Sequence, residues 1–457
     1  MKKLNRFLCA CFLALPAAGS ASAETLRDAV RFAVTTNPSV RATEAEMKTA
    51  AFELMQLRGE YLPTLTLSGE TGYQRVDDEN SLSEADNRET KPRHQLGVRA
   101  EIVLFDGYRR SNLVYANAAR VDGSIFRLLD ASETMALNAT EAYIDVARHR
   151  KLLEVARRNV SKHEEIGRQV TGLVEGGRLP FSDQLTIEDR IRSARLAQLE
   201  VERALRDAGA RYERVVGRQP SGSMQVSAAP APQSLEVLTQ NALNNSYRLL
   251  FARSQIDQTK SETEAVLADR YPRFTLGAGV VRDINRNGVR GNRTDENIGI
   301  GMRWTIYQGG RKAERNALAA MNSRAIAAQE VAVREIRELA ARTWNTYVTD
   351  RQRASQLSDQ LRINRSIVEV YGDEFEAAKR TLLDLLEVER ARFTVEFESV
   401  GAQSGLVFST YRALAAQSQL ASFFGLPRSE LALEPAFRDR ARVSPENVFN
   451  VNIEPLK

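Results

Sequence analysis

Gln95-Leu96-Gly97-Val98-Arg99-Ala100-Glu101-Ile102-Val103-Leu104-Phe105-Asp106-Gly107-Tyr108-Arg109 is the stretch that decides the fold. Leu96, Val98, Ala100, Ile102 and Leu104 alternate with Gln95, Gly97, Arg99 and Glu101, the period-two pattern of a strand with one apolar and one wet face. Phe105-Asp106-Gly107 then breaks the pattern, and a long helical sequence follows. The same statement recurs: Ile298, Ile300, Met302, Trp304 and Ile306 alternate with Gly299, Gly301, Arg303 and Thr305, and Tyr307-Gln308-Gly309-Gly310-Arg311 closes the run. Gly107 and Gly309 are 202 residues apart, and Pro63 and Pro272, each preceding a gentler alternation (Leu65–Tyr73, Phe274–Val280), are 209 apart. The chain is a duplication of helix, strand pair and long helix.

Alternating strands of about ten residues suit either a soluble sheet with one buried face or the wall of a membrane barrel. Aromatic residues gather at the strand ends, among them Tyr73, Phe105, Trp304 and Tyr307, as they do at a membrane interface. A secretory signal favours the membrane: Lys2, Lys3 and Arg6 precede the apolar run Phe7–Leu15, and Ala21-Ser22-Ala23 forms a cleavage site. Cys9 and Cys11 both fall within that signal, so the mature chain has no disulfide and no thiol metal site. The formal net charge of +5 shrinks as well, because three of the 64 basic residues leave with the signal, and a nucleic-acid partner loses its support. Past the signal no apolar run reaches the length of a transmembrane helix.

Between the strands the sequence predicts rods. No proline interrupts 93–179 or 273–426, and about 65 residues of helix would extend about 100 Å. Ile336, Leu339, Ala340, Thr343 and Tyr347 form a thin stripe on the last rod, which cannot bury itself without neighbours. The predicted organisation is a signal at 1–23, a first repeat at 24–217 with its strand pair at about 64–105, and a linker at 218–234. A second repeat covers 235–425 with strands at about 273–307, and a tail covers 426–457. The loop from Arg75 to Arg93 is polar and long enough to lie outside a membrane.

Four strands cannot close a barrel, and open edges cannot be left in lipid, so other copies must complete the wall: a dimer gives eight strands and a trimer twelve. The double repeat, the glycine turns and Lys379-Arg380-Thr381-Leu382-Leu383-Asp384-Leu385-Leu386-Glu387 resemble the outer membrane efflux protein (TolC) family over nearly the whole mature chain. That resemblance implies a mainly α fold with membrane β: a homotrimer whose outer-membrane β-barrel, four strands per protomer, continues into a periplasmic α-barrel. It implies a passive exit duct of a tripartite export system, for toxic or hydrophobic small molecules or for proteins. The partners would be a periplasmic adaptor and an inner-membrane pump of the RND or ABC type, with no cofactor, no metal and no catalysis.

The resemblance also implies roles for residues. Asp384 and Glu387 would ring the periplasmic entrance, where threefold copying brings like charges together and raises their pKa values. Arg380 would hold the tip shut by linking helix pairs, with Phe375 standing where the family has a tyrosine and Asp183 matching Asp384 by repeat. Arg99, Glu101 and Arg303 would line the lumen. Spacing alone supports a plainer reading, a solvated face with Arg380 paired to Asp384 and Glu387 to Arg390. A dedicated type I secretion duct, a periplasmic coiled-coil adaptor and a secreted hydrolase are the other functional classes, the last without any nucleophile-base pair to support it.

Overall fold

A computed structural model describes residues 24–77 and 88–426. The signal, Asp78 with the rest of the strand loop to 87, and the tail from 427 lie outside the described residues. The chain divides into two compact units.

The unit containing 33–138, 228–356 and the residues from 405 carries the sheet. Asn37 ends α1 (Leu26–Thr36) and begins α2 (Pro38–Gly59), its side chain accepting from the Ser39 amide at 3.0 Å, with Pro38 at the first helical position. In the second repeat Ser246 does the same between α5 (Leu235–Asn245) and α6 (Tyr247–Leu267). Strands β1 (Thr64–Arg75), β2 (Thr90–Phe105), β3 (Arg273–Ile284) and β4 (Asn292–Arg303) form one antiparallel sheet in the order 1-2-3-4. The repeats therefore join through β2 and β3. Registers stack Leu65, Ala100, Ala278 and Ile298 in one row, and Ile102, Leu276 and Ile300 in another. The opposite face carries Thr66, Arg99, Gly279 and Asn297, then Thr64, Glu101, Gly277 and Gly299.

Three strand expectations need correction. β2 begins at Thr90, inside the expected loop, although Pro92 lies within it. There β2 pairs only with β1, since its pairing with β3 starts at His94, and a proline is tolerated where no ladder donor is needed. At the other end a bulge between Val103 and Phe105 shifts the register, so Phe105, not Leu104, sits opposite Phe274. Strand β4 ends at Arg303, leaving Trp304 and Tyr307 beyond it, because the ladder stops where Pro272 precedes β3 and offers no N–H.

Helix α3 (Arg109–Glu175) has 67 residues and α7 (Arg311–Glu376) has 66. Their glycine turns give the same register, since each helix opens on the arginine that follows. Within the sheet unit, Met47 and Leu54 of α2 pack with Val121, Ile125 and Leu128 of α3 and Tyr247 of α6. On α7 the expected stripe is buried at Ile336, Ala340, Thr343 and Tyr347, whereas Leu339 is exposed.

The other unit holds residues to 32, 139–227 and 357–404. Its helices are the later part of α3, α4 (Phe181–Val216), the end of α7 and the start of α8 (Leu382–Ala416). Leu152, Leu153, Ala156 and Val201 form one core, flanked by Phe393 and Phe397. The sequence predicts α8 running on to Phe424, but it stops at Ala416. Ser418 takes a left-handed φ of +54°, and within the sheet unit the buried Glu133 carboxylate accepts from the amides of Leu420 (3.0 Å) and Ala421 (3.2 Å). A carboxylate on free helical N–H groups stabilises a new helix start, here α9 (Leu420–Phe423).

Candidate functional site

Two helix hairpins meet at one end of the second unit. Each turns through the same hydrogen-bond pattern: the Gly177 amide donates to Val174 and the Arg178 amide to Leu173, as Ala378 does to Phe375 and Lys379 to Glu374. This is the Schellman stop, which needs a left-handed residue. Gly177 supplies it at φ +67°, and Ala378 does so at +59° despite its Cβ. Behind the turns, Ile166 and Val170 of α3, Ile187 of α4, Phe375 of α7 and Leu382, Leu385 and Leu386 of α8 form one apolar core. Gln169 also donates to Glu376 at 3.3 Å. Phe375 is thus a buried strut of this core.

Asp384 caps its own helix. Its Oδ2 accepts from the Thr381 hydroxyl at 2.7 Å and the Thr381 amide at 3.2 Å, and the Asp384 amide donates back to Thr381 Oγ1. This reciprocal capping box was legible as Thr-x-x-Asp before an apolar run. The Thr381 hydroxyl, helped by that amide, holds the Asp384 carboxyl below the usual carboxylate range. Within one chain the shift therefore runs opposite to the rise that a charge ring would produce. Glu387 is exposed, bonded to Arg390 at 2.6 Å, and lowered by that bond. Asp183 stands at the matching place on α4, but position 180 is a proline and offers no hydroxyl to it.

Arg380 does not pair with Asp384. Its Nε donates to Glu374 Oε2 at 2.7 Å, and its guanidinium lies 4.3 Å over the Tyr371 ring. Both partners belong to its own hairpin. Sequence reading overlooked Tyr371 and Glu374, which lie nine and six residues before Arg380 across a turn, outside any helical spacing rule. It also missed Glu396, a buried carboxylate that receives Arg158 (3.1 Å), Arg365 (3.3 Å) and Arg392 (2.7 Å).

In the sheet unit, Arg99 and Glu101 share the polar face, and Arg303 ends the same face on β4. The other face is bare: Leu65, Leu67, Ile298, Ile300 and Met302 are each more than 60% exposed. So large an apolar surface marks a contact with lipid or protein. Tyr73 sits near the far end of β1, while Phe105, Trp304 and Tyr307 gather at the helix end, with Trp304 Nε1 donating to the Arg270 carbonyl at 3.1 Å. Two arginines fasten the sheet to its helices in pseudo-symmetric fashion. Arg110 donates to the carbonyls of Glu60 (3.0 Å) and Val103 (2.9 Å), and Arg311 to those of Asp269 (3.2 Å) and Thr305 (2.9 Å). Arg110 is further held by Asp106 at 2.7 Å.

The sheet is thus two-faced with an uncovered apolar side, and its strands lead into helices of more than sixty residues. No helix among the described residues is long and apolar enough to cross a membrane. The chain belongs to the outer membrane efflux protein family, whose model matches residues 30–218 and 238–420. It is 24% identical over 329 residues to the outer membrane efflux protein BepC of Brucella suis, spanning 71% of this chain and 72% of that one. Its fold is similar to a membrane protein from Pseudomonas aeruginosa (18% identical, TM-score 0.74, 86% of this chain and 90% of that one). It is also similar to the MtrE outer membrane channel of Neisseria gonorrhoeae (18%, TM-score 0.73, 86% and 89%). Membership makes the protein an outer-membrane efflux duct with a periplasmic helical part, and not an enzyme. The family works with adaptors and pumps.

Proposed function

We propose that three copies close the duct, giving twelve strands in the outer membrane and a helical tunnel in the periplasm, through which an inner-membrane pump and a periplasmic adaptor pass cargo outward. The observation that carries this reading is the sheet itself. Among the described residues β1 and β4 each have one neighbour, so both edges are open beside a bare apolar face. Open edges are untenable in lipid, and four strands are too few to bend shut. The cargo of this reading is toxic or hydrophobic small molecules, in keeping with the efflux name of the Brucella relative. Asp384 and Glu387 form the entrance ring, and Arg380, Phe375 and Asp183 belong to the closing tip. The hairpin supports this: a carboxylate pair at i and i+3, half-buried Asp384 and exposed Glu387, lies just past a turn stiffened by a shared core. Lumen-facing roles for Arg99, Glu101 and Arg303 follow from their common polar face.

Single-channel recording in a planar bilayer tests the entrance. The wild type is expected to conduct weakly and prefer cations, and Asp384→Ala with Glu387→Ala to conduct more and lose that preference. Unchanged selectivity in the double variant would remove these residues from the entrance.

A further inference from the structure

The polar face of the sheet ends in a cavity of about 590 Å³ where strands give way to helices, lined by five arginines against three carboxylates. Two of the arginines are occupied: Arg110 by Asp106 and carbonyls, Arg311 by carbonyls. The side chains of the other three, Arg109, Arg273 and Arg303, make no hydrogen bond or ion pair among the described residues, and all three residues are exposed. Arg273 and Arg303 also lie directly opposite each other on β3 and β4. Like charges facing across a strand pair repel and weaken the sheet. The first repeat avoids this, because its corresponding pair is Thr64 opposite Glu101. Asp106 cannot relieve the repulsion, since Arg110 already holds it. Glu60 and Asp269 line the same cavity without cancelling its positive excess.

Two unpaired guanidinium forks beside a cavity suit a tetrahedral oxyanion, which accepts paired N–H donors and removes the repulsion at once. We propose that this junction cavity is an oxyanion-binding site that takes a phosphate group, with Arg273 and Arg303 as its ligands and Arg109 completing its field. Arg110 and Arg311 hold the wall rather than the ligand. The site is built by one chain and does not depend on how many copies close the duct. The phosphate has two possible carriers, a molecule moving along the polar face or a phospholipid headgroup at the membrane surface.

The test uses the mature protein purified in neutral detergent at low salt. Calorimetric titration with inorganic phosphate is the first arm, and native mass spectrometry after reconstitution with phosphatidylglycerol is the second. The wild type should bind at least one of these probes. Phosphate alone identifies a free anion, and retained lipid that phosphate fails to displace identifies a headgroup. Arg273→Gln/Arg303→Gln should weaken binding about tenfold or more for each arginine removed, with the melting curve unchanged or raised. Arg315→Gln, which removes an exposed charge on α7 outside the cavity, should bind as the wild type does. Failure of the wild type to bind either probe at millimolar concentration, or wild-type binding by the double variant, would overturn the assignment.

Discussion

Gly107→Ala should damage the protein while Gly309→Ala, its counterpart in the second repeat, should not. Gly107 sits at φ +67°, and a Cβ there would lie 2.5 Å from the Ala268 carbonyl oxygen and 2.9 Å from Tyr271 Cβ. The left-handed backbone costs an alanine about 1–2 kcal/mol. The clash is with backbone and a fixed Cβ, so relief requires moving the end of α6 away from the strand turn, at about 1–3 kcal/mol. Alanine's smaller unfolded-state entropy returns about 0.5–1 kcal/mol, leaving a net loss of about 1–4.5 kcal/mol. At Gly309 nothing lies within 4 Å and φ is not left-handed, so the net change is within about 0.5 kcal/mol. Denaturant titration in detergent, followed by Trp304 fluorescence, reads both variants, since Trp304 bonds Arg270 beside the predicted clash. Equal losses in the two variants would refute the reasoning, because they would mean that the turns are sterically equivalent.

Further outcomes follow from other parts of the molecule. Ala378→Gly should stabilise the helical tip by about 0.5–1 kcal/mol by relieving a left-handed alanine, seen as a raised denaturation midpoint. Arg110→Ala should cost about 3 kcal/mol, because it strands the half-buried Asp106 and frees two carbonyls, and the same titration detects it. Asp384 has a depressed pKa in the folded chain, so its cap is complete above the unfolded value near 3.9 and is lost as pH falls through the lower folded value. Amide protection factors in the first turn of α8, corrected for intrinsic exchange, should therefore fall in acid for the wild type, whereas Asp384→Asn should show the lower protection already at neutral pH and no further fall in acid.

Sequence revealed most of the fold because its signals are local. Asn37-Pro38 announces a helix start, and residues 96–102 and 298–302 sort themselves between two faces by alternation alone. What it hid depends on partners far along the chain. Pro92 is tolerated in β2 only because β3 does not reach it, and Phe105 joins the apolar row only through a bulge set against Phe274. Glu133 caps the start of α9 from 287 residues away. Ala378 and Ser418 adopt left-handed turns that glycine usually signals. Motif matching proposes Asp384, Glu387 and Arg380 for the tip, and the bonds these residues make are local to one hairpin: a cap, an ion pair with Arg390 and a cradle of Glu374 and Tyr371.

The claim that unites these features is that the four-stranded sheet is one third of a closed wall. The mass of the purified mature protein in detergent, determined by light scattering with the detergent contribution subtracted, addresses it most directly. Three chains per particle, insoluble once detergent is removed, is the expected result. A single chain that remains monodisperse in plain buffer would contradict it.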